Sequence, residues 1–337
     1  MSGKRWAALG IAALLFFVSI ITNVVTSPFE DKGNEASSFA SMLGTEEAFV
    51  EEVIEDGISN RKILVMEVNG VIQDTGSDVT SLFAPGYNHR QFLKMMDQAK
   101  EDSSVAGIIV RVNTPGGGVS ESAEIHKKIV EIQEETKKPV YISMGTMAAS
   151  GGYYIAAPAD KIFASPETIT GSIGVIMQGI NYAELAEKYG VKFETIKSGP
   201  YKDIMSPTKE MSKEEREILQ TMVDNMYNQF VTIISEGRDM SETEVRSIAD
   251  GRIYDGLQAK EINLVDELGY FEDVIASMKK DHDLGNVKVV RYTENLGWGS
   301  LFTMNAKSLL QPESEMQMLA RLINQPNSPR LMYLYAE

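Results

Sequence analysis

The stretch that decides the fold is PVYISMGTMAASGGYYIAA, residues 139–157. Its first six residues form a nearly continuous apolar run, typical of a buried strand, and its last five are typical of a helix that fills a core. Between them, Ser150 follows two alanines and precedes two glycines. A hydroxyl at such a turn is open to a substrate backbone, and the free N–H groups of the new helix favour developing negative charge. The simpler interpretation of Ser150 is a helix N-cap.

On both sides of this stretch, predicted strands alternate with predicted helices. Apolar runs predict strands at residues 63–68, 105–112, 140–143, 161–164, 175–177 and 193–196, and helical spacing predicts helices at 89–101, 120–136 and 214–235. Such alternation indicates parallel pairing in a layered α/β fold with βαβ units. We therefore predict one catalytic domain over residues 61–285, followed by a strand and a variable tail over residues 286–337.

The first 26 residues predict a cytoplasmic tip and a transmembrane helix that anchors the chain. Residues 7–25 contain no charged side chain, and at ~1.5 Å per residue they are long enough to cross a ~30 Å hydrocarbon layer. Lys4 and Arg5 precede this segment. The positive-inside rule therefore places the N-terminus in the cytoplasm and the catalytic domain on the extracytoplasmic side of the cell membrane. The competing interpretation is a cleaved signal peptide, but residues 23–28 offer no Ala-x-Ala site.

Composition narrows the classes of function and of binding site. Residues 27–60 are rich in acidic side chains and predict a stalk or linker, with a short amphipathic helix near residues 46–54. The formal net charge of −16 argues against a nucleic-acid partner. The absence of cysteine excludes disulfides and thiolate catalysis, and the three histidines match no metal-ligand pattern. We expect neither a metal nor a cofactor.

A glycine-rich loop ends the strand predicted at residues 105–112. Residues 113–118, NTPGGG, carry one proline and three consecutive glycines. Such a loop lets another backbone approach closely and leaves N–H groups free to point at an oxyanion, although a plain turn can have the same composition. Loops at the ends of neighbouring parallel strands meet at one edge of a sheet, so we expect this loop to lie beside Ser150.

A serine nucleophile needs a base, and the histidines are poor candidates. His126 lies inside a predicted helix, His282 in a charged run, and His89 before a helix, so a Ser-His-Asp triad has little support. A lysine can substitute if its pKa falls about three units from ~10.4, as burial among apolar groups allows. Lys202, in a Gly/Pro-rich loop, is the better candidate and Lys197 the weaker one. From spacing alone, a surface charge is still the simpler interpretation of Lys202.

Five motifs, in this order, resemble the signal peptide peptidase A family. They are VNTPGG (112–117), MAASGGYY (147–154), TGSIGV (170–175), SGPYKD (198–203) and GRIYDG (251–256). The family consists of membrane-anchored bacterial serine peptidases with a Clp-protease/crotonase-like fold. The resemblance runs from about residue 63 to residue 269 and is greatest to the short, single-repeat members.

The resemblance implies a role for each of five residues. Ser150 would be the nucleophile, Lys202 the general base, and Ser172 the residue that orients the lysine amine. The backbone N–H groups of Gly117 and Gly151 would hold the oxyanion. It also implies a ring-shaped homo-oligomer in which neighbouring subunits supply serine and lysine, and substrates that are remnant signal peptides and other short unfolded polypeptides.

Two other functions and one structural question stay open. An acyl-CoA enzyme of the crotonase class would use a similar oxyanion loop but would need carboxylate acid/base residues. A non-catalytic membrane scaffold could share the fold. The apolar tail at residues 330–337 predicts either a packed strand or a pseudo-substrate in the cleft of a neighbouring subunit.

Overall fold

The computed structural model of the protein describes residues 49–75, 87–294 and 331–335. All of them fall within one unit of the chain. The anchor predicted at residues 1–26 and residues 27–48 of the predicted stalk lie outside the described residues. Within those ranges, no helix combines the length and the apolar character that crossing a membrane requires.

Strands and helices alternate through the first half of the described chain, and the later part is mainly helical. The strands are β1 (Phe49–Glu55), β2 (Lys62–Asn69), β3 (Val105–Thr114), β4 (Gly116–Gly118), β5 (Val140–Ala149), β6 (Lys161–Ala164), β7 (Ile169–Gly171), β8 (Ile253–Tyr254), β9 (Glu267–Leu268), β10 (Lys288–Glu294) and β11 (Met332–Leu334). The helices are α1 (His89–Glu101), α2 (Val119–Thr136), α3 (Gly151–Ala156), α4 (Ala183–Lys188), α5 (Lys213–Gly237), α6 (Glu242–Ile248), α7 (Gly256–Glu261) and α8 (Phe271–Asp281).

The main sheet is largely parallel, as the alternating pattern predicts. Its strand order is β1-β10-β2-β3-β5-β6-β9, and only β1 runs antiparallel to its neighbour along this path. The central strands β2 and β3 are buried on both faces, which explains why their sequences are continuous apolar runs rather than alternating ones. The prediction of a mixed α/β fold is confirmed.

Apolar side chains of successive residues in β2 enter two different cores. Leu64 and Met66 pack into the larger core, which includes buried residues of α1, α2, α3 and α5. Ile63 and Val65 pack into a smaller core with Ile275 and Met278 of α8. The sheet is therefore covered on both faces, and its β5–α3 junction lies within the larger core.

The prediction of a short helix near residues 46–54 is wrong for residues 49–54, the part of it that the structure describes. Residues 49–55 form β1, an edge strand paired with β10. The acidic side chains that indicated a solvated stalk are instead bound by basic partners: Arg291 binds Glu52 at 2.7 Å, and Lys279 binds Glu55. Backbone pairing and these ion pairs together outweigh the local helical pattern.

Two predicted short strands do not form. Residues 193–196 have no regular structure, and Phe193 and Ile196 are exposed, because no strand of the described chain lies beside them. The strand predicted at residues 175–177 is reduced to one bridge, between Ile176 and Met332. An apolar run alone does not make a strand without an edge to pair with.

Candidate active site

Ser150 lies at the junction of β5 and α3, in a backbone conformation that non-glycine residues rarely adopt. Its φ of 53° and ψ of −114° place it in the left-handed half of φ/ψ space. Its N–H donates to the Gly171 carbonyl at 2.7 Å, and its carbonyl accepts from Tyr153 and Tyr154 at 2.9 Å each. Ser150 occupies the N-cap position, but its hydroxyl makes no capping hydrogen bond. Ser150 is only 1% exposed, and the strained turn holds a hydroxyl that no capping hydrogen bond uses.

The glycine loop passes directly against this turn, as the sequence predicts. A Cβ atom on Gly116 would lie 2.7 Å from the backbone nitrogen of Gly151, and a Cβ atom on Gly152 would lie 2.7 Å from Cγ2 of Thr114. A Cβ atom on Gly151 would in turn lie 3.1 Å from the nitrogen of Gly117. Only glycine permits this approach, which brings the backbone nitrogens of Gly117 and Gly151 close together.

The loop itself is more ordered than a free turn. Gly116–Gly118 form the short strand β4, which lies between Ile72 and β11. Ile72 donates to the Gly116 carbonyl at 2.8 Å, and Gly118 donates to the Ile72 carbonyl at 2.8 Å. Gly116 also donates its N–H to the Thr114 hydroxyl at 3.0 Å. Two of the N–H groups that the sequence left free are therefore already used, and this pairing fixes the position of Gly117.

The C-terminal tail lies as an extended strand beside this loop. Met332 and Ile176 exchange two backbone hydrogen bonds of 3.1 Å, and Tyr335 donates to the Pro115 carbonyl at 2.8 Å. On the other side β11 pairs antiparallel with β4, with Tyr333 opposite Gly117. Of the two predictions for the tail, the structure bears out the packed strand, formed within its own chain.

Tyr333 anchors the tail in an aromatic pocket. Its ring centroid lies 4.7 Å from those of Tyr154 and Phe230, and its hydroxyl donates to the Met226 carbonyl at 3.1 Å. The residue is fully buried, and this burial raises the pKa of the phenol above its usual value. An apolar pocket thus opens next to the glycine loop and accepts one large side chain of an extended peptide.

Ser172 is brought alongside Ser150 by strand register. β7 pairs parallel with β5 so that Gly171 is opposite Ala149. Ser150 and Ser172 are the residues that directly follow this pair, one after each strand. Ser172 is nearly buried and has a φ of 47°, and its N–H donates to the Arg252 carbonyl at 2.7 Å. The motif at residues 251–256 therefore has a supporting role, because it supplies β8, the strand that holds β7 from the other side.

Lys202 is exposed, on a turn outside the sheet. Its N–H donates to the Gly199 carbonyl at 3.3 Å. Among the described residues, no hydrogen bond or ion pair joins its amine to Ser150, to Ser172 or to any carboxylate. The burial that a lysine needs to act as a base is therefore absent in the single chain.

Each of the three histidines contacts a tyrosine side chain. Buried His89 bonds the Tyr87 hydroxyl at 2.6 Å and Glu124 at 2.7 Å, which the sequence did not indicate. His126 packs its ring edge on Tyr154, where burial lowers the pKa of the imidazole. His282 lies 3.3 Å from the Tyr141 hydroxyl. The part of the chain that the structure describes contains no group of acidic or histidine side chains that could hold a metal ion.

Ser122 is a residue near the site that sequence reasoning missed. In the described residues, its hydroxyl is the only buried side-chain polar atom without a hydrogen-bond partner. A Cβ atom on Gly151 would lie 2.7 Å from this hydroxyl. Ser122 is in the first turn of α2, and nothing in the helical pattern distinguishes it from a residue that merely fills the core.

Comparisons with known proteins identify the family of the chain. The model of Peptidase family S49 matches residues 132–285. A protein of Enterococcus faecium that carries the name signal peptide peptidase SppA is 44% identical over 313 residues, which are 90% of this chain and 89% of that protein. Protease 4 of Haemophilus influenzae is 32% identical over 292 residues, 81% of this chain and 46% of that protein.

Among solved structures, a mutant of ClpP1 from Listeria monocytogenes matches 64% of this chain and 95% of its own, at 19% identity and a TM-score of 0.40. Family membership follows instead from the match to the Enterococcus protein, which covers nearly all of both chains. The chain therefore belongs to peptidase family S49 and is a serine peptidase.

Proposed function

We propose that this chain is a membrane-anchored serine endopeptidase that uses a Ser150/Lys202 dyad to cleave remnant signal peptides and other short unfolded polypeptides outside the cytoplasm. The observation that carries the proposal is the extended tail bound between β4 and Ile176, beside Ser150. A substrate that adds a strand to the same edges would bind through backbone hydrogen bonds, independently of most of its sequence.

The position of the Tyr333 carbonyl supports the proposed oxyanion hole. A Cβ atom on Gly116 would lie 2.1 Å from this carbonyl oxygen and 2.7 Å from the Gly151 nitrogen. The carbonyl and the Gly151 N–H therefore face the same small space, where a tetrahedral oxyanion would form. A substrate carbonyl in this position would have its preceding side chain in the Tyr154–Phe230 pocket, which suits apolar peptides such as signal sequences.

The proposed chemistry is a two-step acyl transfer. Neutral Lys202 accepts the proton of the Ser150 hydroxyl while the Ser150 oxygen attacks the substrate carbonyl. The N–H groups of Gly117 and Gly151 stabilise the oxyanion that forms. The lysine ammonium then donates that proton to the leaving amine as the peptide bond breaks. In the second step, Lys202 takes a proton from water as the water oxygen attacks the acyl ester. The lysine ammonium then returns that proton to the Ser150 oxygen as the ester bond breaks, which releases the carboxylic acid product and restores the hydroxyl and the neutral amine. Ser172 would hold the lysine amine in line.

Exposed apolar residues support an assembly in which Lys202 comes from a neighbouring subunit. A contiguous segment of chain around the Lys202 turn exposes large apolar side chains that a monomer would leave in water: Ile180, Leu185, Tyr189, Val191, Phe193, Ile196 and Tyr201. A cavity of about 620 Å³ lies beside Ser172 and is lined by Val175, Tyr227 and Asp250. This cavity could admit the lysine of a second copy, whose burial there would favour the neutral amine.

The membrane anchor and the side of the membrane are proposed from residues 1–26, with the Lys4–Arg5 pair on the cytoplasmic side. We also propose a Clp-protease/crotonase-like fold for the α/β domain, on the basis of the five sequence motifs between residues 112 and 256. Its support in the structure is the parallel sheet with the glycine loop and the Ser150 turn at one edge.

The test uses the full chain in detergent with an unfolded polypeptide as substrate. We expect Ser150→Ala and Lys202→Ala each to lose at least 100-fold in turnover, whereas the control Lys94→Ala, at an exposed position outside the segment around the Lys202 turn, keeps wild-type turnover. Equal turnover by all four proteins would refute the dyad. Mixing the two inactive variants tests the shared site: activity returns only if serine and lysine are supplied by different subunits.

A further inference from the structure

We propose that a chain of four ion-paired residues, Lys197, Asp203, Lys209 and Glu215, positions the Lys202 turn and keeps the neighbouring carboxylate away from the Lys202 amine. We call this set of residues the ion-pair chain. This role rests on the proposed function of Lys202 as the base. The four residues of the ion-pair chain are positioning residues.

The ion-pair chain is continuous. Lys197 Nζ lies 2.7 Å from Oδ1 of Asp203, and Lys209 Nζ lies 2.9 Å from the same oxygen. Lys209 Nζ also lies 2.5 Å from Oε1 of Glu215. Two cations and two anions thus alternate along one path, and the carboxylate adjacent to Lys202 in sequence is held by both lysines.

The ion-pair chain is attached to a fixed point at the start of α5. The Glu215 side chain is only 2% exposed, and its second oxygen accepts from the backbone N–H of Ser212 at 3.0 Å in a capping box. A buried carboxylate with both oxygens bound cannot move without losing partners. The first turn of α5 therefore holds Lys209, and through it Asp203.

The turn that carries Lys202 is held on both sides. Lys197 Nζ donates to the Pro200 carbonyl at 3.0 Å as well as to Asp203, so it contacts the backbone before Lys202 and the side chain after it. The turn is closed by Ile204, which donates to the Tyr201 carbonyl at 3.1 Å. Lys202 itself extends from this clamped turn, and its amine has no carboxylate partner among the described residues.

This arrangement matters because a general base must be neutral. A carboxylate within about 4 Å of an ammonium favours the charged form of the amine. Asp203 is the nearest candidate in sequence, but its two lysine partners hold the pKa of this carboxyl at about 2 and keep it bound elsewhere. Within the described ranges, the charged groups that act on Asp203 are Lys197 and Lys209, and those that act on Lys209 are Asp203 and Glu215. The members of the ion-pair chain are therefore one another's charged partners.

The test is the pH profile of kcat/KM for the full chain with an unfolded polypeptide. In Lys197→Met/Lys209→Met, Asp203 loses both partners and can pair with Lys202. We expect the acid limb of the profile to move to higher pH by about one unit, with about tenfold lower activity on that limb. Adding Asp203→Asn to this variant removes the competing carboxylate, so it should bring the limb back most of the way.

A matched control separates this effect from the loss of two positive charges. Lys188 and Lys213 are exposed lysines outside the ion-pair chain, and Lys188→Met/Lys213→Met should leave the limb in place. If the double variant at 197 and 209 folds poorly, Lys197→Met alone tests the same point, because this side chain is partly exposed and its loss removes one of the two lysines that hold Asp203. The single variant should show a smaller shift in the same direction.

An unchanged acid limb in these variants, or a shift that Asp203→Asn does not reverse, would overturn the inference. Failure of the proposed function looks different: Lys202→Ala would then remain active. An inactive Lys202→Ala together with an unmoved limb would refute only the ion-pair chain.

Discussion

Gly116 and Gly151 are in backbone contact: a methyl group on Gly116 would lie 2.7 Å from the Gly151 nitrogen. The two glycines belong to different motifs, 35 positions apart along the printed sequence. Their contact joins the start of β4 to the start of α3 and brings the backbone nitrogens of Gly117 and Gly151 close together. Any side chain at Gly116 must therefore separate the two halves of the proposed oxyanion hole.

The first prediction concerns Gly116→Ala. Its φ of +104° disfavours alanine, and the new methyl group would clash with both the Gly151 nitrogen and the Tyr333 carbonyl. We expect about a 100-fold loss of kcat, since one oxyanion donor is worth that much, and a stability cost of about 1–3 kcal/mol. Gly285→Ala is the control, because Gly285 also has a positive φ but nothing within 4 Å. A Gly116→Ala enzyme as active as this control would contradict the assignment.

The second prediction concerns the tail. Because residues 331–335 occupy the groove between β4 and Ile176, they should compete with added substrate. We expect a variant that ends at residue 330 to cleave a short peptide several-fold faster than the full chain at low substrate concentration, because its KM is lower. Tyr333→Ala, which empties the aromatic pocket but leaves the backbone strand, should fall between the two. Unchanged cleavage after truncation would show that the tail does not compete.

The third prediction concerns Ser122, whose buried hydroxyl has no hydrogen-bond partner in the described residues. Removing an unsatisfied buried hydroxyl relieves a desolvation cost, so Ser122→Ala should be neutral or more stable by up to about 1 kcal/mol, with activity retained. Ser122→Val replaces the hydroxyl with a methyl group and adds a second methyl group in the tight space beside Gly151, so it should lower kcat. Thermal unfolding and turnover of both variants check this. A marked loss of stability in Ser122→Ala would mean that the hydroxyl is bonded.

The fourth prediction concerns stability at low pH. The Lys161 amine and the Tyr141 and Ser277 hydroxyls donate to Asp281 at 2.7, 2.8 and 2.9 Å, and they hold the pKa of this carboxyl well below its usual range. A lowered folded-state pKa stabilises the protein above the unfolded value of ~3.9, and this contribution is lost as the pH falls below it.

Asp281→Asn should therefore unfold more easily than wild type at pH 7, by about 1–2 kcal/mol, and the difference should shrink as the pH falls below about 4. Asp283→Asn is the control, since Asp283 is exposed and its positive φ suits asparagine equally well. A difference between Asp281→Asn and wild type that stays constant from pH 7 to pH 3 would contradict the assigned cause. Urea unfolding at several pH values gives the measurement.

The part of the fold that the sequence predicts best is the buried parallel core. β2, β3, β5 and α1 are long periodic or apolar segments, so local pattern and tertiary packing agree there. The meeting of the glycine loop and Ser150 follows from parallel topology, because loops after neighbouring strands share an edge. For this reason the two halves of the candidate site can be paired from the sequence alone.

What the sequence could not predict depends on partners that are distant along the chain. β1 is an acidic segment that becomes a strand only because β10 and basic side chains such as Arg291 lie opposite it. Residues 193–196 fail to become a strand because none of the described strands offers them an edge. The ion pairs of Asp203 and the isolation of Ser122 are side-chain geometry, which periodicity does not encode.

The measurement that tests the central claim most directly is covalent labelling of the full chain with a fluorophosphonate, with the labelled residue identified by mass spectrometry. We predict a single adduct on Ser150, whose rate of formation falls at least 100-fold in Lys202→Ala because the base is lost. An adduct on a different serine, or equal labelling rates in wild type and Lys202→Ala, would contradict it.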